Sequence, residues 1–370
     1  MKDIGNDSVW LRRQTGRDGE TSLRRKNGCA QDDTFVRKSK PRCCQNFREI
    51  GSIIAVAFAV VMAGTSNASL WAQNKPQENE QCSMAVVSRA AGAGRKVCED
   101  AVVKEMAKRG HVFEQNQMGL ASILAVGPDY SDKEAVRWFE QAAQRGYAPA
   151  QVNLAVMYLN GWGVATNYGV ALHWLHAAAD KNFPRADYNL GFMYLEGKGV
   201  RQDNGEAFRW FEKGALGGDS DAQTNLGYMY DQGLGCERNV ATAAIWYRKA
   251  AEAGNALGEN NLADLYLRGQ GVEQDDAAAF AWFQKAAAQG HTGAQIKLAY
   301  LYADGRGTGK DPEAAYAWLS AATAGGDSRG KDLLHSLEKT LSVEQMARAR
   351  QRAVELRSGD RQLSARSFAQ

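Results

Sequence analysis

Six tryptophans, Trp138, Trp174, Trp210, Trp246, Trp282 and Trp318, recur every 36 residues without slippage. A fixed period of this size means that each unit is one supersecondary element. Such a unit buries its apolar face only by stacking on its neighbours, so the chain is expected to form an array rather than several independent domains.

One unit, residues 150–185, shows the element. Ala150, Leu154 and Tyr158 stand at i, i+4 and i+8 and share one helix face. Gly161 ends that helix, and Asn167 starts a second whose apolar face is Ala171, Trp174, Leu175 and Ala178. Asn182 occupies a turn position that is Gly in the other units. The ladders hold the period: Leu154, Leu190, Leu226, Leu262 and Leu298, with Tyr158, Tyr194, Tyr230, Tyr266 and Tyr302. Glycine pairs recur from Gly161/Gly163 to Gly305/Gly307. The second helix starts at Ser131, Asn167, Asp203, Asn239, Asp275 or Asp311, each able to accept a bond from an orphan N–H at a helix start. Small residues from Ala135 to Ala315 let helices approach closely. The fold class is all-α, a right-handed α-solenoid of stacked helix-turn-helix repeats with a 36-residue period.

These residues resemble the Sel1-like repeat family, relatives of the tetratricopeptide repeats with a longer inter-helix loop. The matching pattern is A-x-x-x-L-G-x-x-Y-x-x-G-x-G-V, then A-x-x-W-x-x-x-A and a closing Gly, nearly complete from Ala186 to Gly218. The repeats are expected over 114–329, six in number, the first degenerate with Met118 and Ser122 in place of the ladder Leu and Tyr.

The ends should act as caps, because a terminal repeat has one face on which nothing stacks. Residues 73–113 read as an N-terminal helical cap. In 330–357, Leu333, Leu334, Leu337 and Leu341 form an amphipathic helix, and Ser342-Val343-Glu344-Gln345 is a capping-box start for a last helix with Met346, Ala349, Ala353 and Leu356 inward. Residues 358–370 read as a loose tail.

The formal charge of +3 misleads about partners. Residues 1–49 hold 12 Lys/Arg against 7 Asp/Glu, so this leader, read as disordered, carries all the excess and leaves the remainder at about −2. No basic stripe remains to neutralise phosphates, and nucleic acid is not expected. Between Glu49 and Lys75 there is no charge, and 53–63 reads IIAVAFAVVMA. An apolar core behind a basic segment and ahead of small residues is the pattern of a secretory signal, with cleavage after Ala68 or Ala72. Retention of 50–72 as a membrane tether is the alternative, which would place the protein at the inner membrane rather than free in the periplasm or outside. The length of the leader fits a true start near Val36. Cys82 and Cys98 fit a disulfide in an oxidising compartment, and Cys236 reads as a small half-buried thiol.

No arrangement for catalysis stands out, and no cofactor or metal is expected. His173 and His176 flank Trp174 at i, i+3, but the equivalent positions hold Arg137/Glu140 and Ile245/Arg248, which reads as a variable exposed face. The recurring G-x-G lacks the strand context of a dinucleotide loop. Cysteine-rich Sel1-like proteins described as β-lactam hydrolases carry a cysteine pair in every repeat, and this chain does not.

Binding is the expectation. By resemblance to tetratricopeptide grooves, the inner face would be lined by Tyr188, Phe192, Thr224, Tyr228, Asn260, Asp264 and Tyr300. It lacks the Asn and Lys/Arg of a carboxylate clamp. Aromatic residues there suit a protein or peptide anchor, unless the longer loop rotates the helices and buries the rings. An Asn ladder, Asn153, Asn189, Asn225 and Asn261, could bond a peptide or merely the neighbouring helix. The resemblance implies an exported, non-catalytic adaptor or regulator of the cell envelope. A glycan or peptidoglycan binder is the first alternative and a β-lactam hydrolase the second.

Overall fold

The computed structural model describes residues 102–124 and 131–357. The leader, the apolar segment 50–72, the start near Val36, the Cys82–Cys98 bridge and the tail 358–370 lie outside the described residues. After a helical stretch at 102–108, fourteen helices follow, with no strand among the described residues. The first helices of the repeats are α1 (Val112–Leu124), α3 (Ala148–Asn160), α5 (Pro184–Glu196), α7 (Ser220–Gln232), α9 (Ala256–Arg268) and α11 (Thr292–Asp304). The second helices are α2 (Asp132–Gln144), α4 (Tyr168–Ala179), α6 (Asn204–Leu216), α8 (Val240–Glu252), α10 (Asp276–Ala288) and α12 (Pro312–Ala324). Two more close the array, α13 (Lys331–Thr340) and α14 (Val343–Arg357).

Local chemistry sets these boundaries. Each second helix starts on its expected cap: Ser131, Asn167, Asp203, Asn239, Asp275 and Asp311 accept a backbone N–H of the first turn. From α3 to α11 each first helix ends at a left-handed glycine, Gly161, Gly197, Gly233, Gly269 or Gly305. Asn182 adopts φ 55°, the left-handed conformation that Gly takes at Gly146 and Gly218. The second glycine of each loop also makes close approach possible. A Cβ on Gly307 would run into the backbone carbonyl of Asp276.

Helices pack as pairs within a repeat, and each second helix packs on the next first helix. Neighbouring first helices also meet directly, α5 on α7 and α7 on α9. The assembly is an all-α solenoid. Its core is the expected ladder of fully buried Leu154, Leu190, Leu226, Leu262 and Leu298 with the small alanines. The ladder tyrosines pack edge-on to second-helix rings, Tyr230 on Phe208 at 5.3 Å and Tyr302 on Phe280 at 5.1 Å. Five ladder tryptophans are half-buried, and Trp318 is buried in the core shared with the closing helices. The capping box forms as read: Ser342 Oγ accepts from Gln345 N at 3.2 Å, and Gln345 Oε1 accepts from Ser342 N at 2.9 Å.

Candidate functional site

The residues expected on the inner face form two rows one helical turn apart, and the structure treats the rows differently. In the first, Tyr188 is half-buried, with its ring 6.0 Å from that of Phe211 and under the Arg185 guanidinium at 5.1 Å. Burial, then the Asp221 carboxylate, pushes its phenol well above the usual range. Thr224 is 2% exposed, and its hydroxyl lies 2.9 Å from the Ser220 carbonyl and 3.0 Å from Asn255 Oδ1. Asn260 is 5% exposed; it donates to Asn261 at 3.0 Å and accepts from Lys297 Nζ at 3.1 Å. Thr224 and Asn260 therefore do not line an open groove. Their row sits where successive first helices meet, and the neighbouring helix consumes their polar atoms.

The second row is the less buried one. Phe192 is half-buried, with the Lys198 ammonium 4.9 Å from its ring centroid. Tyr228 is half-buried, and Tyr300 is 42% exposed. Asp264, also half-buried, pairs with the Lys297 ammonium, which lies 5.3 Å from the Phe283 ring. The face thus changes character along the array, aromatic around Phe192 and Tyr228 and ion-paired at Asp264.

Beside the first row runs a polar chain that joins three repeats. Arg185 on α5 holds Asp219 (Nε to Oδ2 3.0 Å) and Asp221, and Asn255 donates to Asp221 at 2.7 Å. Asp219 also caps α7 and Asn255 caps α9. Burial pushes the Asp219 carboxyl up, opposed by the Arg185 charge. The Asn ladder is consumed in the same way: Asn153 donates to Asn116 at 2.9 Å, while Asn189 and Asn225 donate to carbonyls one turn back at 2.7 and 2.8 Å. These amides serve the array's own backbone and neighbours.

The histidine pair is exposed, His173 edge-on to Trp174 at 5.1 Å and His176 edge-on to Trp210 at 5.6 Å. Among the described residues no group of His, Cys, Asp and Glu is placed to hold a metal ion. Cys236 is half-buried, with Sγ 3.6 Å from the Met229 carbonyl, and burial pushes its thiol up. Among the described residues no helix is long and apolar enough to cross a membrane.

One set of polar residues was missed in the sequence. Gln115, Gln151, Asp187, Gln223, Glu259 and Gln295 are buried at a single register of the first helix, facing the preceding repeat. The available signal was an amide or acid recurring every 36 residues three positions before the ladder Leu.

Compared with known protein families, the chain matches the Sel1 repeat six times, over residues 115–147, 148–183, 184–219, 220–255, 256–291 and 292–327. The protein belongs to the Sel1 repeat family. Among solved structures it is similar to a protective antigen of uropathogenic Escherichia coli strains that displays an SLR fold. The two are 32% identical with a TM-score of 0.57, over 71% of this chain and 57% of that one. The chain thus spans little more than half the length of that relative. It is also similar to a Sel1 repeat protein from Oxalobacter formigenes, at 31% identity and a TM-score of 0.52, over 58% of this chain and 85% of that one. A comparison with curated proteins gave no match.

Proposed function

We propose that this Sel1-repeat protein is a non-catalytic interaction scaffold of the cell envelope, and that its first-helix face receives a protein or peptide. The observation that carries this reading is the partly open row of Phe192, Tyr228 and Tyr300, held on helices packed into the array. Aromatic rings on a rigid surface are the usual anchors of protein contacts, because they bury a large area while losing little conformational freedom. Asp264 and Lys297 add a polar mark that fixes the register of a bound segment.

Export rests on the uncharged segment between Glu49 and Lys75. That the similar Escherichia coli protein is described as a protective antigen accords with this location. Signal cleavage predicts a mature chain beginning at Ser69 or Gln73, read by amino-terminal sequencing of the envelope fraction. Recovery of the intact leader in the cytoplasm would overturn export, and an intact chain in the membrane fraction would mean a tether.

A photoreactive residue at Phe192 in living cells tests the binding face, with one at Leu216 on α6 as the control. One dominant protein captured from Phe192 and not from Leu216, and lost in Tyr228→Ala, is the expected result. No capture, or retention of the protein by sacculi instead, would overturn the protein-partner reading.

A further inference from the structure

Each junction between repeats buries one polar side chain against the C-terminal end of the preceding second helix or, at Gln115, of the stretch 102–108. At four junctions this is a glutamine whose Nε2 donates to the carbonyl eight residues earlier: Gln115 to Ala107 at 3.1 Å, and Gln151 to Ala143, Gln223 to Ala215 and Gln295 to Ala287, each at 3.2 Å. Each of these carbonyls also accepts a backbone N–H of the turn that follows, and it lies at the negative pole of the helix dipole, so a second donor is favoured there and a carboxylate is not.

Two junctions nevertheless carry an acid, and they resolve the conflict differently. At Asp187 the Lys213 ammonium reaches in from α6, 2.9 Å from the carboxylate and 3.1 Å from the Ala179 carbonyl. It supplies the donor that glutamine gives elsewhere and, as a full charge, opposes the burial that pushes the Asp187 carboxyl up. At Glu259, 3% exposed, the lysine of the same register is Lys285, and its ammonium lies 3.9 Å from the Trp282 ring centroid. The carboxylate instead accepts from a neutral amide, Gln289 Nε2 at 2.8 Å. From α10, Gln289 and the more distant charge of Lys285 act on Glu259. The adjoining Gly258 lies against Ala250 and Ala251 of α8 and Thr224 of α7, and the Ala251 carbonyl, which accepts Gly254 N at 2.9 Å, holds the register that takes the glutamine at the other junctions.

We propose that the junction of α8 with α9 is a proton-operated joint. With Glu259 protonated, its O–H donates to the Ala251 carbonyl as glutamine does at the other junctions, and the joint closes. With Glu259 ionised, the side chain offers that carbonyl no donor and its charge opposes the helix end, so the joint loosens. The joint lies directly behind the open face, because α9 also carries Asp264 and, through Asn260, the link to Lys297 on α11. It operates whatever that face binds.

The sign follows from the environment. Burial raises the Glu259 carboxyl above its ordinary 4.5, with Gln289 and Lys285 opposing. The native chain therefore takes up the proton before the unfolded chain does. Stability gained from this group is absent at alkaline pH, rises as pH falls through the native value, and levels off near 4.5.

The test is urea unfolding and amide exchange of the full chain across pH 5 to 8, comparing wild type with Glu259→Gln and Gln223→Glu. Glu259→Gln is expected to raise the midpoint at pH 8 and to flatten the pH profile relative to wild type. After correction for intrinsic exchange, wild-type protection in α8 and α9 should rise on acidification by about tenfold per unit of separation between native and unfolded values. Gln223→Glu should install a second such dependence at the α6–α7 junction. Parallel wild-type and Glu259→Gln profiles would overturn the proposal, as would a Gln223→Glu chain with the wild-type profile.

Discussion

An interior repeat and the last repeat put the same residue to different uses. Trp282 on α10 is half-buried and presents its face to the Lys285 ammonium at 3.9 Å. Trp318, one period later on α12, is 3% exposed and belongs to the core cluster that α12 shares with Leu337 of α13 and Ala349 of α14. Ala349 and Ala353 of α14 are themselves buried, and Arg348 and Arg352 reach back to Glu313 and Asp311 at the start of α12. In the interior the next repeat completes each core. At the end no further repeat follows, and two helices of unrelated sequence replace it. The period therefore defines a position, while the neighbour decides its energetics.

The largest expected effect tests that difference at the two tryptophans. Trp318→Ala should cost about 3–5 kcal/mol, as deletion of a fully buried indole does, and Trp282→Ala about half as much; urea unfolding of each variant reads the pair. Equal losses would mean that α14 adds nothing at the last repeat. Overfilling the interface comes next: Ala349→Leu should cost about 1–3 kcal/mol and raise hydrogen exchange in α12 and α14 before the interior helices respond. Cap residues separate the regions more finely. Asn239→Ala should cost about 1 kcal/mol at the interior helix α8. Asp311→Ala should cost somewhat more, because Asp311 caps α12 and also holds Arg352 at 2.9 Å. The smallest effect is Lys285→Ala, about 0.5 kcal/mol for an exposed cation over a ring; a loss several times larger would mean that Lys285 is a principal partner of Glu259.

The 36-residue helix-pair period, the second-helix caps, the terminating glycines and the Ser342 capping box were all legible from residue order. Each depends on bonds between residues two to five apart, and such bonds are the same in any repeat that adopts the helices. The first-helix caps were less legible. Asp219 and Asn255 are ordinary cap types, but His291 caps α11 by accepting at Nδ1 from Ala294 N at 3.0 Å, a role its residue type does not announce. The candidate surface was legible only in part. Phe192, Tyr228, Asp264 and Tyr300 are at least partly open, whereas Thr224 and Asn260 are interior, because residues of the next repeat, Asn255 and Lys297, close over them.

Residue order alone thus determined that this chain stacks paired helices with a 36-residue repeat, since short-range hydrogen bonding and the spacing of apolar side chains leave no other common register. Tertiary structure alone decided which polar groups are spent inside the array. The donor that meets Asp187, the neutral amide that meets Glu259 and the partners of Arg185 come from residues 26 to 36 positions away, brought within reach only when the repeats stack.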